Sequence, residues 1–326
     1  MKDNEGREIE YLRISVTDRC NLRCVYCMPE SGVKHIGHPS ILTYEEIVRV
    51  CKAFAKHGLK HIKITGGEPL VRKGVTDLIA DLKKIPGIDT VTITTNGVLL
   101  EDYYDALAAA GVDAITVSLD TMKPDVFQEI TRRDELDRVL AGIQKAIKEN
   151  KVRFKLNCVP FLGIERQEIL SLLEYAREND VDVRFIEMMP MGFGKDFSSV
   201  PESEIRKKIE EQYGEMTICH EKRGNGPATY YQIPGFKGKI GFISAVSHKF
   251  CSTCNRVRMT SDGYLKTCLQ YETGVDLKPL LRADVSEAEL WEVMSEAIRQ
   301  KPKAHHFEEM NRRVDDELRG MSQIGG

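Results

Sequence analysis

The chain has 326 residues, enough for one large α/β domain with an appendage or for two domains. Its hydrophobic fraction of 41% supports a buried core, and its net charge of −3 with 30% charged residues argues against a globally basic nucleic-acid-binding protein. No apolar run approaches about 18 residues and no export signal is recognisable, so we expect a cytoplasmic protein without a membrane span.

Short β-branched segments alternate with longer amphipathic ones between residues 11 and 187, a pattern typical of βα units and a parallel sheet. The predicted strands are 11–17, 61–65, 90–95, 114–119, 153–159 and 182–187. The predicted helices are 44–56, 75–84, 101–110, 136–149 and 166–178. Six such units are too few for a closed eight-stranded barrel, so we predict an open (β/α)6 partial barrel, with a flat doubly wound sheet as the alternative.

The composition changes to Gly, Lys, Asp and Ser after residue 190, which predicts a boundary between a barrel region (1–190) and a smaller α+β extension (191–326). Within the extension we predict helices at 202–213 and 288–301. The predicted strands there are 216–219, 229–233, 239–243, 257–260 and 264–267. A polar tail from residue 311 ends in Gly325-Gly326.

A first cysteine group follows the first predicted strand and precedes Met28-Pro29. Cys20, Cys24 and Cys27 place three thiols within eight residues. Clustered thiolates require a soft metal, so zinc and an iron–sulfur cluster are the candidates. Structural zinc needs a fourth ligand, whereas three cysteines can hold a four-iron cluster that has one open iron.

A second cysteine group lies in the extension and comprises Cys251, Cys254 and Cys268. With His248 it fits a Cys3His zinc site, and without it a second four-iron cluster. Arg256 and Arg258 follow at a spacing that places both on one face of a strand, where they suit a phosphate. The remaining cysteines stand singly in apolar patterns, and we interpret them as core residues: Cys51, Cys158 and Cys219.

Loop motifs follow the predicted strands, and in parallel sheets the carboxyl ends of the strands carry the functional groups. Besides the first cysteine group, these motifs are Gly66-Gly67-Glu68-Pro69, Thr94-Thr95-Asn96-Gly97, Ser118-Leu119-Asp120 and Met188-Met189-Pro190. Each alone is typical of a turn. Their occurrence at successive strand ends indicates a shared site.

The first cysteine group, with aromatic Tyr26 before its last cysteine, and the Gly66-Gly67-Glu68 motif resemble the signatures of the radical S-adenosylmethionine (SAM) superfamily. That resemblance implies an open six-stranded barrel and a [4Fe–4S] cluster whose open iron is chelated by SAM. Reduction then cleaves SAM to a 5'-deoxyadenosyl radical.

Within that superfamily, the second cysteine group, the run Asn255-Arg256-Val257-Arg258 and the terminal Gly-Gly resemble the GTP 3',8-cyclase family of molybdenum cofactor biosynthesis. The resemblance spans nearly the whole chain. It implies that GTP is converted to 3',8-cyclo-7,8-dihydro-GTP, that a second [4Fe–4S] cluster meets the guanine, and that the tail reaches the active site.

The same resemblance assigns roles to individual residues. The metal ligands would be Cys20, Cys24, Cys27, Cys251, Cys254 and Cys268, and the first three count as catalytic together with Arg256 and Arg258. The SAM contacts would be Tyr26, Gly67, Ser118 and Met189. The GTP contacts would be Arg13, Lys63, Thr94, Lys155, Arg184 and the run Arg256, Val257 and Arg258. Lys63 departs from the family, which usually has arginine there, so a bidentate phosphate contact at this position is in doubt.

Two other functions are compatible with parts of the pattern. One is a two-cluster radical SAM enzyme that modifies a peptide, although the basic residues on strands favour a phosphorylated substrate. The other is a zinc-stabilised nucleic-acid-binding protein, which the near-neutral charge disfavours. The expected partners are GTP, an electron donor, cyclic pyranopterin monophosphate synthase as recipient of the product, and a second copy in a homodimer.

Overall fold

Six parallel strands alternate with helices over residues 11–186 in the computed structural model, which describes residues 1–33, 36–163, 167–309, 316–317 and 319–325. The strands are β1 (Tyr11–Ser15), β2 (His61–Thr65), β3 (Thr90–Thr95), β4 (Ala114–Ser118), β5 (Arg153–Cys158) and β6 (Asp182–Ile186). The helices are α1 (Tyr44–Ala55), α2 (Val75–Lys83), α3 (Leu100–Ala109), α4 (Pro124–Thr131), α5 (Leu136–Glu149) and α6 (Leu173–Glu178).

The extension adds strands to both edges of this sheet. Its strands are β7 (Thr217–Ile218), β8 (Thr229–Gln232), β9 (Ile240–Ile243), β10 (Arg256–Met259), β11 (Tyr264–Lys266) and β12 (Gly274–Asp276). Its helices are α7 (Glu202–Tyr213), α8 (Lys278–Arg282), α9 (Glu287–Arg299) and α10 (Met321–Ile324). In the described residues the strand order is β12-β11-β10-β1-β2-β3-β4-β5-β6-β9-β8-β7.

This order confirms the open barrel. The strands β1 to β6 are neighbours in chain order, whereas a doubly wound sheet reverses direction at a switch point. β10 pairs in parallel with β1, and β9 pairs in parallel with β6. The predicted division at residue 190 stays a prediction, because the sheet runs continuously across both regions.

Side chains alternate along each barrel strand between an apolar outer face and a polar inner face. On β1, Leu12 and Ile14 are fully buried against the helix layer, while Arg13 lines a central cavity. On β2, Ile62 and Ile64 are buried in the same core. This period of two contrasts with the continuous apolar pattern of most parallel strands, and it indicates that the inner face serves a polar ligand.

Most predicted elements are confirmed, with boundaries shifted by one or two residues. The helix predicted over 166–178 is wrong in its first part: a short 3-10 turn (Ile169–Leu172) follows Glu168, whose φ of 46° is incompatible with a helix. Residues 164–166 lie outside the described residues. The prediction also missed α4, which begins with a proline, and the short β12 and α8. Within the described residues, no helix combines the length and apolar character needed to cross a membrane.

Candidate active site

A cavity of about 370 Å³ lies at the carboxyl ends of the barrel strands and is lined by both cysteine groups. Its volume falls in the range of small-molecule sites. All the predicted strand-end motifs contribute to its wall, through Gly67, Asn96, Ser118 and Met189. Every predicted site residue except Lys155 lines this cavity.

The first cysteine group lies in the loop after β1. Burial raises the pKa of Cys20 to about 11, with a further contribution from the charge of Glu68. Burial also raises the pKa of Cys27 to about 12 and that of Cys24 well above its usual value, and the neighbouring thiols reinforce both shifts. These three thiols therefore need a bound cation before they ionise at neutral pH.

The Gly66-Gly67 backbone lies directly against the start of this loop. The Gly67 N–H donates to Thr17 O at 2.6 Å, and the Glu68 N–H donates to Arg19 O at 2.7 Å. A Cβ on Gly67 would lie 2.7 Å from the carbonyl carbon of Arg19, inside van der Waals contact. Only glycine permits this approach, and it exposes backbone to the cavity beside Cys20.

Glu68 is fully enclosed at the end of β2. Its carboxylate accepts hydrogen bonds from Thr95 Oγ1 at 2.7 Å, from the Asn96 N–H at 2.6 Å and from the Leu70 N–H at 3.0 Å. Burial raises its pKa to about 7 despite these donors. Glu68 therefore fastens the β3 loop to the Gly-Gly motif. Asn96, in turn, places its amide 3.7 Å from Cys20 Sγ.

A carboxylate positions the Tyr26 side chain. Its hydroxyl donates to Asp120 Oδ2 at 2.6 Å, and Asp120 Oδ1 accepts the Val159 N–H at 2.8 Å. Burial raises the pKa of Asp120 to about 6. The Tyr26 ring also contacts Phe161 edge to face. These contacts fix the loop segment between the second and third cysteines.

Five basic side chains face the cavity from the strands: Arg13, Lys63, Arg184, Arg256 and Arg258. In the strand register Arg13 lies between Lys63 and Arg258. Lys63 and Arg184 donate hydrogen bonds to uncharged partners. Lys63 donates to Thr94 Oγ1 at 3.3 Å. Arg184 donates to Asn157 Oδ1 at 2.8 Å and to Thr116 Oγ1 at 3.2 Å.

Burial lowers the pKa of Lys63 well below its usual value, and the charges of Arg184 and Arg13 lower it further. The pKa of Arg258 is lowered for the same reasons, by burial and then by Arg13 and Arg256. Positive charges that lie close together repel one another, and a polyanion bound between them removes that repulsion. The cluster is therefore suited to a triphosphate.

The second cysteine group has a more cationic environment than the first. Burial acts to raise the pKa of Cys254, but the charges of Lys301 and Arg256 outweigh it and lower the pKa to about 7. Lys301 Nζ donates to Arg256 O at 2.9 Å. The Arg7 guanidinium donates to Cys251 O at 3.0 Å. Basic side chains thus donate hydrogen bonds to backbone carbonyls on both sides of Cys254, at Cys251 and at Arg256.

Lys155, on β5, is not part of the cavity lining. Its side chain is 5% exposed and contacts Asp182 Oδ2 at 3.1 Å and the Tyr230 hydroxyl at 3.0 Å. Its ammonium group also donates to the carbonyl of Arg223, which itself pairs with Asp182. A GTP contact for Lys155 stays a prediction.

The chain returns to the cavity near its carboxyl end. Arg258 Nη1 donates to the carbonyl of Gly325, and the backbone of Gly325 packs against Ser15 and Thr65. With a φ of +80°, and with a Cβ that would lie 2.6 Å from Thr65 Oγ1, this position requires glycine. Gly326 lies outside the described residues.

The residues present fit iron–sulfur clusters better than the zinc alternative. His248, the predicted fourth zinc ligand, has a side chain 73% exposed and lies 3.8 Å from Glu202. No three His, Cys, Asp or Glu side chains among the described residues converge on one ion. The thiolates of a four-iron cluster bind different irons, so they need not converge. All nine cysteines are free of disulfides.

Several site residues escaped the sequence analysis. Asn96 and Asp120 belong to strand-end motifs that had been singled out, so a signal for them was present. No such signal marks Arg7, Lys301 or His305. Arg7 lies in the amino-terminal segment, and the other two follow α9, yet all three line the cavity. Only the fold brings them to the second cysteine group.

Family models match nearly the whole chain. The radical SAM superfamily matches residues 14–200, and Molybdenum Cofactor Synthesis C matches residues 181–307. Relatives named GTP 3',8-cyclase match over 100% of both chains. The identity is 46% for Clostridium perfringens (strain 13 / Type A), 44% for Pelotomaculum thermopropionicum and 42% for Petrotoga mobilis.

Solved structures agree on the fold. Streptococcus suis SuiB bound to S-adenosylmethionine has a TM-score of 0.63 at 16% identity, over 90% of this chain and 68% of that one. Native anSMEcpe with bound AdoMet has a TM-score of 0.55 at 15% identity, over 88% and 84% of the two chains. With the full-length relatives and the two matching family models, this establishes that the chain belongs to the GTP 3',8-cyclase family of the radical SAM superfamily.

Proposed function

We propose that this chain is a GTP 3',8-cyclase that converts GTP to 3',8-cyclo-7,8-dihydro-GTP, the first step of molybdenum cofactor biosynthesis. One observation carries the proposal: two three-cysteine groups and a cluster of half-buried basic side chains line the same cavity of about 370 Å³. A peptide-modifying enzyme has no need of such a cluster, whereas a triphosphate requires it. The names of the full-length relatives support the same activity.

The cofactors are two [4Fe–4S] clusters and SAM. One cluster is held by Cys20, Cys24 and Cys27, and the other by Cys251, Cys254 and Cys268. Each group offers three thiolates to four irons, which leaves one iron open for SAM or for guanine. When bound, SAM and its cluster would supply the radical chemistry that activates C3' of GTP. The SAM contacts are Tyr26, Gly67, Ser118 and Met189.

The protein's own contribution is positioning. Arg13, Lys63 and Arg184 hold the triphosphate against the inner face of the barrel. The hydrogen bonds of Lys63 and Arg184 go to uncharged groups, so these two charges are available to phosphate. Arg256 and Arg258 lie beside Cys254 and orient the nucleoside. Because the triphosphate and the nucleoside of GTP are both fixed, C3' and C8 are held close enough to bond. Competing reactions of the substrate radical are suppressed for the same reason.

The net reaction forms the C3'–C8 carbon–carbon bond and consumes one further electron and a proton, so we class the enzyme as a lyase with an external electron donor. Cyclic pyranopterin monophosphate synthase is the proposed recipient of the product. We also propose a homodimer in the cytoplasm and a functional division at residue 190, with the barrel region binding SAM and the extension binding the second cluster.

The direct experiment is anaerobic reconstitution followed by incubation with SAM, a reductant and GTP. The protein is expected to bind about eight irons and to form 5'-deoxyadenosine and a cyclised nucleotide together. Colourless protein with stoichiometric zinc would exclude the proposed activity. Formation of 5'-deoxyadenosine that ignores GTP but increases with a peptide would favour the peptide-modifying alternative.

A further inference from the structure

The described residues near the carboxyl end, 316–317 and 319–325, form a segment that we call the C-terminal arm. It runs from the β11–β12 hairpin to the cavity. Asp316 bridges Tyr271, and the Glu317 N–H donates to Gln270 O at 2.6 Å. At the far end, Gly325 reaches Arg258. The arm therefore connects the second cysteine group with the nucleotide site.

A buried ion pair fastens the start of this arm. Lys266 Nζ pairs with Glu317 Oε2, and both side chains are 0% exposed. Lys266 also donates to Tyr271 O at 2.6 Å, while Glu317 Oε1 accepts from the Arg319 backbone N–H at 2.9 Å and from Arg319 Nε at 2.8 Å. Local hydrogen bonds thus compensate the burial of these two charges.

Lys266 lies on β11, two residues before Cys268, and β11 pairs with β10, which carries Arg258. In the register Lys266 lies directly opposite Arg258. One strand pair therefore holds both the anchor of the arm and the arginine that receives its end. β11 is held on both sides, because it also pairs with β12.

Beyond the anchor, the arm packs on the loop of the first cysteine group. The Gly320 backbone lies against the Cys27 carbonyl: a Cβ on Gly320 would lie 3.5 Å from that oxygen. Ile324 is buried with Met191 and Phe307. The backbone of Gly320 also lies close to that of Gly192: a Cβ on Gly192 would lie 3.1 Å from the Gly320 Cα. The arm thus spans both cysteine groups, and its path is fixed at Glu317, at Gly320 and at Gly325.

We propose that Lys266 and Glu317 are a positioning pair for cyclisation: their buried contact sets the register of the C-terminal arm, so that Gly325 meets Arg258 in the cavity. The proposal rests on the proposed function, since its kinetic readout is the cyclised nucleotide. The pair touches neither substrate nor cluster, and it acts through the arm and Arg258. Its loss is expected to uncouple cleavage of SAM from cyclisation of GTP.

The test uses the reconstituted full-length protein and two variants. Glu317→Gln removes one charge at nearly constant shape. The double variant Lys266→Met/Glu317→Leu removes both charges, so that no unpaired charge remains buried and folding is preserved. The matched control is Glu287→Gln, which breaks an exposed ion pair between Glu287 on α9 and Lys56, the residue after α1. Iron content, amide hydrogen exchange of the arm and the ratio of cyclised nucleotide to 5'-deoxyadenosine are measured for each.

In both pair variants we expect iron content to stay at the wild-type value, arm amides to exchange at least tenfold faster, and the product ratio to fall at least tenfold. The Glu287→Gln control should match wild type in iron content, amide exchange and product ratio. Wild-type exchange and product ratio in the double variant would overturn the inference, as would a loss of iron that accounts for the loss of product. If wild type itself made no cyclised nucleotide, the proposed function would fail, while the exchange measurement would still test the anchor.

Discussion

The Tyr26 hydroxyl donates a 2.6 Å hydrogen bond to Asp120 Oδ2, which joins the first cysteine loop to the end of β4. The carboxylate is buried and also accepts the backbone N–H of Val159 after β5. One side chain therefore ties three parts of the cavity wall together. Tyr26, which lies between two proposed cluster ligands, is thus positioned by the carboxylate of Asp120.

Tyr26→Phe is expected to lower the free energy of unfolding by about 1.5–3 kcal/mol, the usual value of a hydrogen bond to a charged group. SAM affinity should also fall, because the loop loses its tether. Chemical denaturation and calorimetric SAM titration measure the two effects. Tyr213→Phe is the control, since Tyr213 donates to Glu174 at 2.9 Å in a more exposed setting. Equal effects of the two substitutions would contradict a special role for Tyr26.

Gly67→Ala should weaken SAM binding at least tenfold and reduce iron loading. The added Cβ would lie 2.7 Å from the Arg19 carbonyl carbon and 2.8 Å from Asp18 O, so the cysteine loop must move. Gly37→Ala is the control, because its Cβ would meet only Pro39 at 3.8 Å and its φ is −64°. Normal iron content and SAM affinity in Gly67→Ala would show that the close approach is dispensable.

GTP binding should take up a proton and weaken over the pH range above the lowered pKa of Lys63. The pKa of Lys63 is well below its usual value in the free protein, because of burial and of the charges of Arg184 and Arg13. A bound triphosphate favours the charged form and raises that pKa again. Calorimetry in buffers of different ionisation enthalpy measures the uptake.

Two variants isolate the contribution of Lys63. Lys63→Arg stays charged over this pH range, so its GTP affinity should lose most of the pH dependence. Lys63→Met should bind GTP weakly at every pH. An unchanged pH dependence in Lys63→Arg would assign the proton uptake to another group.

Asp182→Asn is expected to lower the free energy of unfolding by about 3–5 kcal/mol, because it leaves buried cations without their carboxylate. Burial acts to raise the pKa of Asp182, but Arg223 and Lys155 outweigh it and hold the pKa below its usual value. A carboxyl group with a depressed pKa stabilises the fold above its unfolded pKa of about 3.9 and loses that effect only below it.

The free energy of unfolding that Asp182→Asn loses should therefore be the same at pH 8 and pH 6, as measured by urea denaturation. Asp81→Asn, which breaks an exposed pair with Lys84, is the control and should leave stability unchanged. A deficit that disappears by pH 6 would mean that Asp182 titrates in that range and is not held ionised by its partners.

The barrel was predictable because its signals are local. β-branched strands, amphipathic helices and strand-end motifs each lie within a short stretch, and the boundaries of β2, β3 and α5 coincide with the prediction. The alternation on the inner face also follows from strand geometry, which placed Arg13, Lys63 and Arg184 in the cavity.

The rest depends on contacts between distant parts of the chain. Nothing near Arg7 indicates that its guanidinium reaches Cys251, 244 residues away. Likewise, Asp182, the Arg223 carbonyl and Tyr230 contact the Lys155 side chain, and its role as a GTP contact stays a prediction. Pairing of β10 with β1 and of β9 with β6 brings these distant segments together.

The most direct test of the proposed reaction uses GTP deuterated at C3'. The reconstituted protein is incubated with this substrate, SAM and a reductant, and both products are analysed by mass spectrometry. We expect one deuterium in 5'-deoxyadenosine and a cyclised nucleotide that has lost it, in equal amounts. Unlabelled 5'-deoxyadenosine, with deuterium retained in the nucleotide, would contradict hydrogen abstraction at C3' and with it the proposed reaction.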